Sequence, residues 1–428
     1  MPQPLMDGLN GVPWLQAMAR VFHQAGAPLY AVGGAVRNPL MGLPVSDVDV
    51  CGPARPEEVL AFCQGTPVQA RARAAHFGTV ELFAADGTGA RHMAEYTTFR
   101  EDSYRTGHRP ERVRFAQSLE VDALRRDFSV NALYRALTPE GAEAVEDPTG
   151  GLEHLQRRVL HTVTPNPDRV LGEDGLRILR AARFRAELAL TPTPELAQSL
   201  RRNAPLLKDI APERMRDELE KTLLADVRYP GVGDGRAGLR LMAQCGAWAL
   251  VTGGAAWDEA AVEALGCDKT LPGRAALLFH ASGPGQAARV LTALRFSSRE
   301  ARRAEALAQA LRAVREGGLD RFEAARMGRE AMVFAQNACR ALRDALALAR
   351  AQALLSDLEG APASLKELAV DGDDLMPVLA QCGLPARRMG RLLETLWRRA
   401  VLGETPNERS ALLRDARRLA KEESAHGQ

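Results

Sequence analysis

A short apolar run, residues 29–32, opens directly onto Gly33-Gly34, and the chain soon enters the alternating Asp47-Val48-Asp49. No other stretch constrains the fold as much. The apolar run reads as a buried strand, and two glycines after a strand let the backbone turn tightly and approach a ligand. A helix beginning just past them aims its N–H groups at the same spot, where phosphate binds readily. Arg37, one turn into that helix, can reach a phosphate oxygen. A second strand, residues 45–50, then carries Asp47 and Asp49. Side chains two apart on a strand share a face, so both carboxylates point at one place. Paired hard oxygens suit Mg²⁺, which takes one or two carboxylates and completes its shell with water and substrate phosphates. Alone, Gly-Gly reads as an ordinary turn and Asp-Val-Asp as a wet-faced edge strand. Together, with an arginine between them, they fit a site for nucleotidyl transfer.

The remaining chain bounds this reading. At 428 residues and 46% apolar composition it can bury a large core, in about two to four domains. No apolar run reaches the roughly 18 residues of a membrane span. The N-terminus lacks the basic-then-apolar order of a secretory signal. Six cysteines are widely scattered with no Cys-x-x-Cys pair, so neither a disulfide framework nor a zinc site is expected, and a reducing cytoplasm fits. Net charge is +2, with 51 Arg against five Lys. Such a balance does not by itself imply nucleic-acid binding; local clustering has to carry that.

Residues 12–24 read as an amphipathic helix with Trp14, Leu15, Met18, Val21 and Phe22 on its apolar stripe. Residues 56–64 open as a helix should, with proline and two glutamates in the first turn. Strand-like runs at 78–84 and 92–99 extend the sheet, giving a mixed α/β domain with an antiparallel component. Glu95, on the second run, is a candidate third carboxylate for a metal; a glutamate on a wet face is the equal alternative. Residues 101–111 form a polar, proline-containing loop. From about Gly150 onward helical patterns dominate, broken by Gly- and Pro-rich punctuation.

Two further clusters carry chemistry. Residues 124–132 pack Arg125, Arg126, Asp127 and Asn131 among apolar residues, either as a plain amphipathic helix end or, beside a triphosphate, as phosphate- and sugar-binding groups. Residues 173–188 read as one helix on which Asp174, Arg177, Arg180 and Arg183 step by three along one ridge. A solvated salt-bridge ridge looks the same and contributes little stability. The chemical reading is sharper. Cytosine and adenine each present an exocyclic amino donor beside a ring-nitrogen acceptor. An aspartate takes the amino hydrogen while a neighbouring arginine donates to the ring nitrogen. Uracil and guanine reverse that edge, so Asp174 with Arg177 would select C and A without a template.

In this order the three segments resemble the class II tRNA nucleotidyltransferases, the CCA-adding enzymes of the polymerase-β-like superfamily. Gly33-Gly34 through Arg37 with Asp47 and Asp49 is similar to the first family motif, Arg125 to Asn131 to the second, and Glu173 to Arg177 to the nucleotide-selecting one. Asp147 to Gly151, Glu213 to Glu218, and Val370 to Met376 with Asn407 also match family positions. The resemblance implies an α+β architecture: a small mixed-sheet head at 1–150, then an elongated all-helical neck at 151–212, body at 213–330 and tRNA-binding tail at 331–428. It implies Mg²⁺-dependent addition of C, C and A to the tRNA 3′ end from CTP and ATP. By position, Asp47 and Asp49 hold metal and catalyse. Gly33, Gly34, Arg37, Arg126, Asp127, Asn131, Arg180 and Arg183 bind nucleotide, and Asp174 and Arg177 select the base. The loop at 101–111 is one that CC-only relatives lack, which favours full CCA addition. Asn38 departs from the family, which usually has aspartate there. CC-adding or A-adding specialists and poly(A) polymerases remain alternatives, as does a non-catalytic RNA-binding protein with an inactive head.

Overall fold

The computed structural model describes residues 9–45, 47–103 and 112–426. Helix α1 (Pro13–Gln24) starts with proline in its first turn and buries the expected Trp14, Leu15, Met18, Val21 and Phe22. Strand β1 (Tyr30–Val32) leads into α2 (Gly34–Leu40), and β2 (Val48–Gly52) follows. After α3 (Pro56–Phe62) come β3 (Gln69–Ala74), β4 (Thr79–Ala85) and β5 (Arg91–Thr98). A small hairpin, β6 (Arg100–Ser103) with β7 (Arg112–Phe115), precedes α4 (Leu119–Leu124). Most of the 101–111 loop, from residue 104 on, lies outside the described residues.

Strands β8 (Tyr134–Thr138) and β9 (Gly141–Glu146) complete a seven-stranded sheet in the order β3-β4-β5-β2-β1-β8-β9. The pair β2–β5 runs parallel and the other five pairs antiparallel. A parallel pair needs a long crossover, and α3, β3 and β4 supply it. The mixed sheet is as expected, but the β8–β9 hairpin extends it beyond the strands the sequence reading identified. Phe22 packs against Phe62 and Tyr96 under the sheet, and Phe99 meets Tyr134 edge-on.

The expected strand at 45–50 is shifted. Pairing with β1 runs from Tyr30↔Cys51 to Val32↔Asp49 and ends there, because Gly33 turns the backbone to φ +66°. Asp47 therefore lies just before β2, and only Asp49 is on it. The positive φ accounts for glycine at position 33: a side chain there would be strained even though no atom lies closer than 3.9 Å to an added Cβ.

Beyond the sheet come α5 (Gly151–Gln156), the short parallel pair β10 (Val159–Leu160) and β11 (Thr191–Pro192), α6 (Pro167–Glu173), α7 (Leu176–Leu188) and α8 (Pro194–Asn203). Next are α9 (Pro212–Leu223), α10 (Ala225–Arg228) and α11 (Gly235–Gln244). The single helix expected over 173–188 is two. Asp174 adopts an extended backbone between them, and its carboxylate accepts the Leu176 N–H at 3.0 Å, a capping role that aspartate favours. Glu173 thus ends α6, and the three arginines ride on α7.

The contacts group the chain into two compact units, 1–254 and 255–428. The expected head and neck lie together in the first. In the second, among the described residues, all regular structure is helical. Its long helix, Ser298–Glu316, is closed at its N-terminus by a reciprocal Ser297–Glu300 capping box. Asn407 ties its segment to residues 367–369, accepting the Ala369 N–H and donating to the Glu367 carbonyl. No helix among the described residues is long and apolar enough to cross a membrane.

Candidate active site

Within the first unit one cavity of about 720 Å³ is lined by Gly33, Gly34, Arg37, Asp47 and Asp49, and equally by Arg126, Asp127, Asn131, Asp174, Arg177, Arg180 and Arg183. Residues far apart in sequence, read separately as phosphate turn, acid pair and base-selecting helix, thus share one cleft. Its walls carry ten basic and five acidic residues, a surplus that suits a polyanion.

The acid pair sits at the β2 end of the cleft. Register places Arg71, Glu81, Glu95 and Asp49 in one row across β3, β4, β5 and β2. The Asp49 side chain stays accessible, but the protein packed around it thins its hydration. That desolvation, with the Glu95 charge alongside, raises its carboxyl to about 6. A cation would relieve this crowding. Two accessible carboxylates are a fitting donor set for a hard divalent ion that completes its shell with water and phosphate. Glu95 shares the face of Asp49, but its carboxylate is paired with Arg73 at 3.1 Å and it does not line the cavity. Among the described residues no group of three His, Cys, Asp or Glu side chains is placed to hold a metal.

Arg37 is buried on α2. Its guanidinium donates to Oδ1 of Asn38, at 2.7 Å from Nη2, and to Oδ1 of Asn131. Asn38, in place of the usual family aspartate, still holds the arginine, while its amide donates to the Pro44 carbonyl at 2.9 Å. Burial, with the nearby Arg183 charge, pulls the Arg37 guanidinium down to about 10. It remains charged at neutral pH.

The segment 124–132 is not a helix end throughout. After α4 stops, the chain extends and makes a 3-10 turn at Ser129–Asn131. Fully buried Asp122, on α4, accepts from Arg125 at 2.7 Å, from Arg126 at 2.8 Å and from the Tyr134 hydroxyl at 2.8 Å. Asp127 is committed to protein groups. It accepts from the Phe128 N–H, the Asn131 amide and Arg180 Nε, the last at 2.6 Å, so it orients Arg180 toward the cleft.

Arg177 is similarly engaged. Its Nη1 donates to the Val170 carbonyl and to Glu173, each at 2.8 Å, and Nη2 donates to the Arg125 carbonyl at 2.7 Å. These bonds fix the guanidinium plane and, among the described residues, leave Nε–H and one Nη2 hydrogen. Arg183 donates to Glu218 at 2.6 Å and to Glu187 at 2.9 Å. Several lining residues escaped the sequence reading: Arg100, Asp102, Lys221, Arg228, Tyr229 and Phe184. Arg214 entered it only within a family-like segment, yet it binds Asp174 at 2.6 Å. No local pattern marks these: Arg100 and Asp102 reach the cleft on β6, and the others on or beside α7, α9 and α10.

A mixed-sheet head whose cleft joins paired carboxylates to a bank of guanidiniums defines a nucleotidyltransferase. The head matches the family model described as the poly A polymerase head domain over residues 29–161. Residues 189–251 match a probable RNA- and SrmB-binding site of polymerase A, and residues 273–416 a putative second domain of tRNA nucleotidyltransferase. The CCA-adding enzyme of Geobacillus stearothermophilus is 34% identical over 96% of both chains, and that of Limosilactobacillus fermentum 32% identical over 93% of this chain and 94% of the other. The crystal structure of the Bacillus stearothermophilus CCA-adding enzyme with CTP superposes with a TM-score of 0.75 at 29% identity, covering 96% of this chain and 98% of that one. The chain belongs to the CCA-adding enzyme family.

Proposed function

We propose that the cleft of the first unit adds C, C and A in turn to the 3′ end of tRNA. The RNA 3′-hydroxyl attacks the α-phosphate of CTP or ATP in line and pyrophosphate leaves. The observation that carries this reading is the presence of Asp47 and Asp49 in the same cavity as Asp174 and Arg177. Asp47 and Asp49 hold Mg²⁺, which when bound supplies Lewis acidity toward the hydroxyl and neutralises charge on the reacting oxygens. The protein's own part is positioning and electrostatics. Gly33 and Gly34 let the backbone approach the phosphates, and Arg37, Arg126, Arg180 and Arg183 neutralise them. Asn131, lining the same cavity, bonds a sugar hydroxyl. Asp174 accepts the exocyclic amino hydrogen of cytosine or adenine, and Arg177 donates to the adjoining ring nitrogen. Uracil or guanine would leave both groups facing like partners in a dry site, a strong penalty.

The family matches at 189–251 and 273–416 support tRNA as the partner, gripped at its acceptor arm through shape and phosphate contacts rather than sequence. Six unpaired cysteines fit a reducing cytoplasm. One assay tests the reading: tRNAs lacking their last one, two or three nucleotides, each offered the four nucleoside triphosphates separately and together. Incorporation of C, C and A, stopping there, is expected. Runs of A on every substrate would instead identify a poly(A) polymerase, and arrest after CC or demand for a CC end would identify a specialist.

A further inference from the structure

Three guanidiniums converge on a single aromatic ring in the cleft. Cζ of Arg183 lies 4.4 Å from the Phe184 ring centroid, Cζ of Arg37 5.3 Å and Cζ of Arg180 5.5 Å. Two of them come from α7 itself, whereas Arg37 arrives from α2 on the far side of the chain's sequence. The ring is buried, and Phe128 meets it edge-on at 5.6 Å with an interplanar angle of 86°, which fixes its plane.

Like charges gathered this closely repel one another. Carboxylates offset part of that repulsion, but each consumes donors: Asp127 takes Nε–H of Arg180, Glu218 takes Nε–H of Arg183, and Glu187 takes an Nη1 hydrogen of Arg183. Among the described residues, Arg37 has only amide oxygens as hydrogen-bond partners. An aromatic face attracts cations through its quadrupole and occupies no N–H at all. We infer that Phe184 is a positioning residue for the triphosphate, its ring drawing Arg37, Arg180 and Arg183 into one cluster whose outward donors stay open to phosphate oxygens. This rests on the cleft being the nucleotide site. It adds that the ring's electrostatics, beyond its bulk, set the affinity for phosphate.

The test replaces Phe184 with mono-, di- and trifluorophenylalanine, which drain the quadrupole while nearly preserving size. Binding of CTP and of inorganic tripolyphosphate, which has no base, is measured on the full chain alongside the melting midpoint. Affinity for both ligands is expected to fall stepwise with fluorine number, by about tenfold at trifluoro, while the midpoint holds. Phe184→Leu, which keeps apolar bulk without a ring, is expected to show a similar loss. Affinity that stays flat across the fluorine series, or falls only in step with the melting midpoint, overturns the role. Wild-type protein that binds neither ligand overturns the reading of the cleft itself.

Discussion

Nη2 of Arg214, on α9, lies 2.6 Å from Oδ2 of Asp174 at the break between α6 and α7. The arginine braces the carboxylate that the base would meet, and the Leu176 N–H holds the other oxygen. Asp174→Asn replaces an acceptor with a donor at that edge. Its kcat/KM for CTP should fall about a hundredfold while use of UTP rises. Arg214→Ala leaves the carboxylate in place but unbraced, so discrimination between CTP and UTP should fall about tenfold, read from the same kinetics.

Asp47→Ala and Asp49→Ala remove half of the proposed cation site. Each should lower the incorporation rate by about a thousandfold or more while leaving tRNA affinity in a gel-shift assay near the wild-type level. Chelation of divalent cations should stop the wild-type reaction, and added Mg²⁺ should restore it. Turnover retained in either variant would remove the pair from the mechanism.

Asp122 gives the fold a defined acid sensitivity. Burial raises its carboxyl, but Arg126 and Arg125 outweigh that and hold it down to about 2, below its ordinary 3.8. A depressed folded-state value means the stabilisation is complete above the unfolded value and is lost as pH falls toward the folded one. Asp122 therefore contributes roughly 2 kcal/mol that disappears between about pH 4 and pH 2. Denaturant melts across that window should show the decline, and in Asp122→Asn its slope should shrink.

Helix α11 crosses α7 at Gly238, where an added Cβ would sit 2.6 Å from the Ala182 carbonyl oxygen and 2.8 Å from Cβ of Ala186. Backbone cannot yield as a flexible side-chain end can. Gly238→Ala should cost about 1–3 kcal/mol in unfolding free energy. Because α7 carries Arg180 and Arg183, weaker CTP binding should accompany the lower melting midpoint.

Much of the head could be read directly from residues. The apolar strand, Gly33-Gly34, the alternating Asp47 and Asp49, and the stripe of α1 each arise from periodicity or turn chemistry within a few positions, and the structure places all the acids and arginines so marked, Glu95 apart, around one cavity. Reading went astray at two element boundaries, one set by sheet pairing and one by a local cap. Pairing of β2 ends at Asp49 on the β1 side and at Val48 on the β5 side, which leaves Asp47 outside the strand, and the ridge helix splits at Asp174, whose carboxylate caps the Leu176 N–H. Tertiary packing alone decided that Arg214 braces Asp174 from 40 residues away, that Glu95 pairs with Arg73 rather than lining the cleft, and that Arg37 meets Arg180 and Arg183 over Phe184. Local order along a chain encodes which groups exist and which face they take. How far apart those groups end up depends on how sheet and helices close on one another, and the chemistry of this cleft depends on those distances.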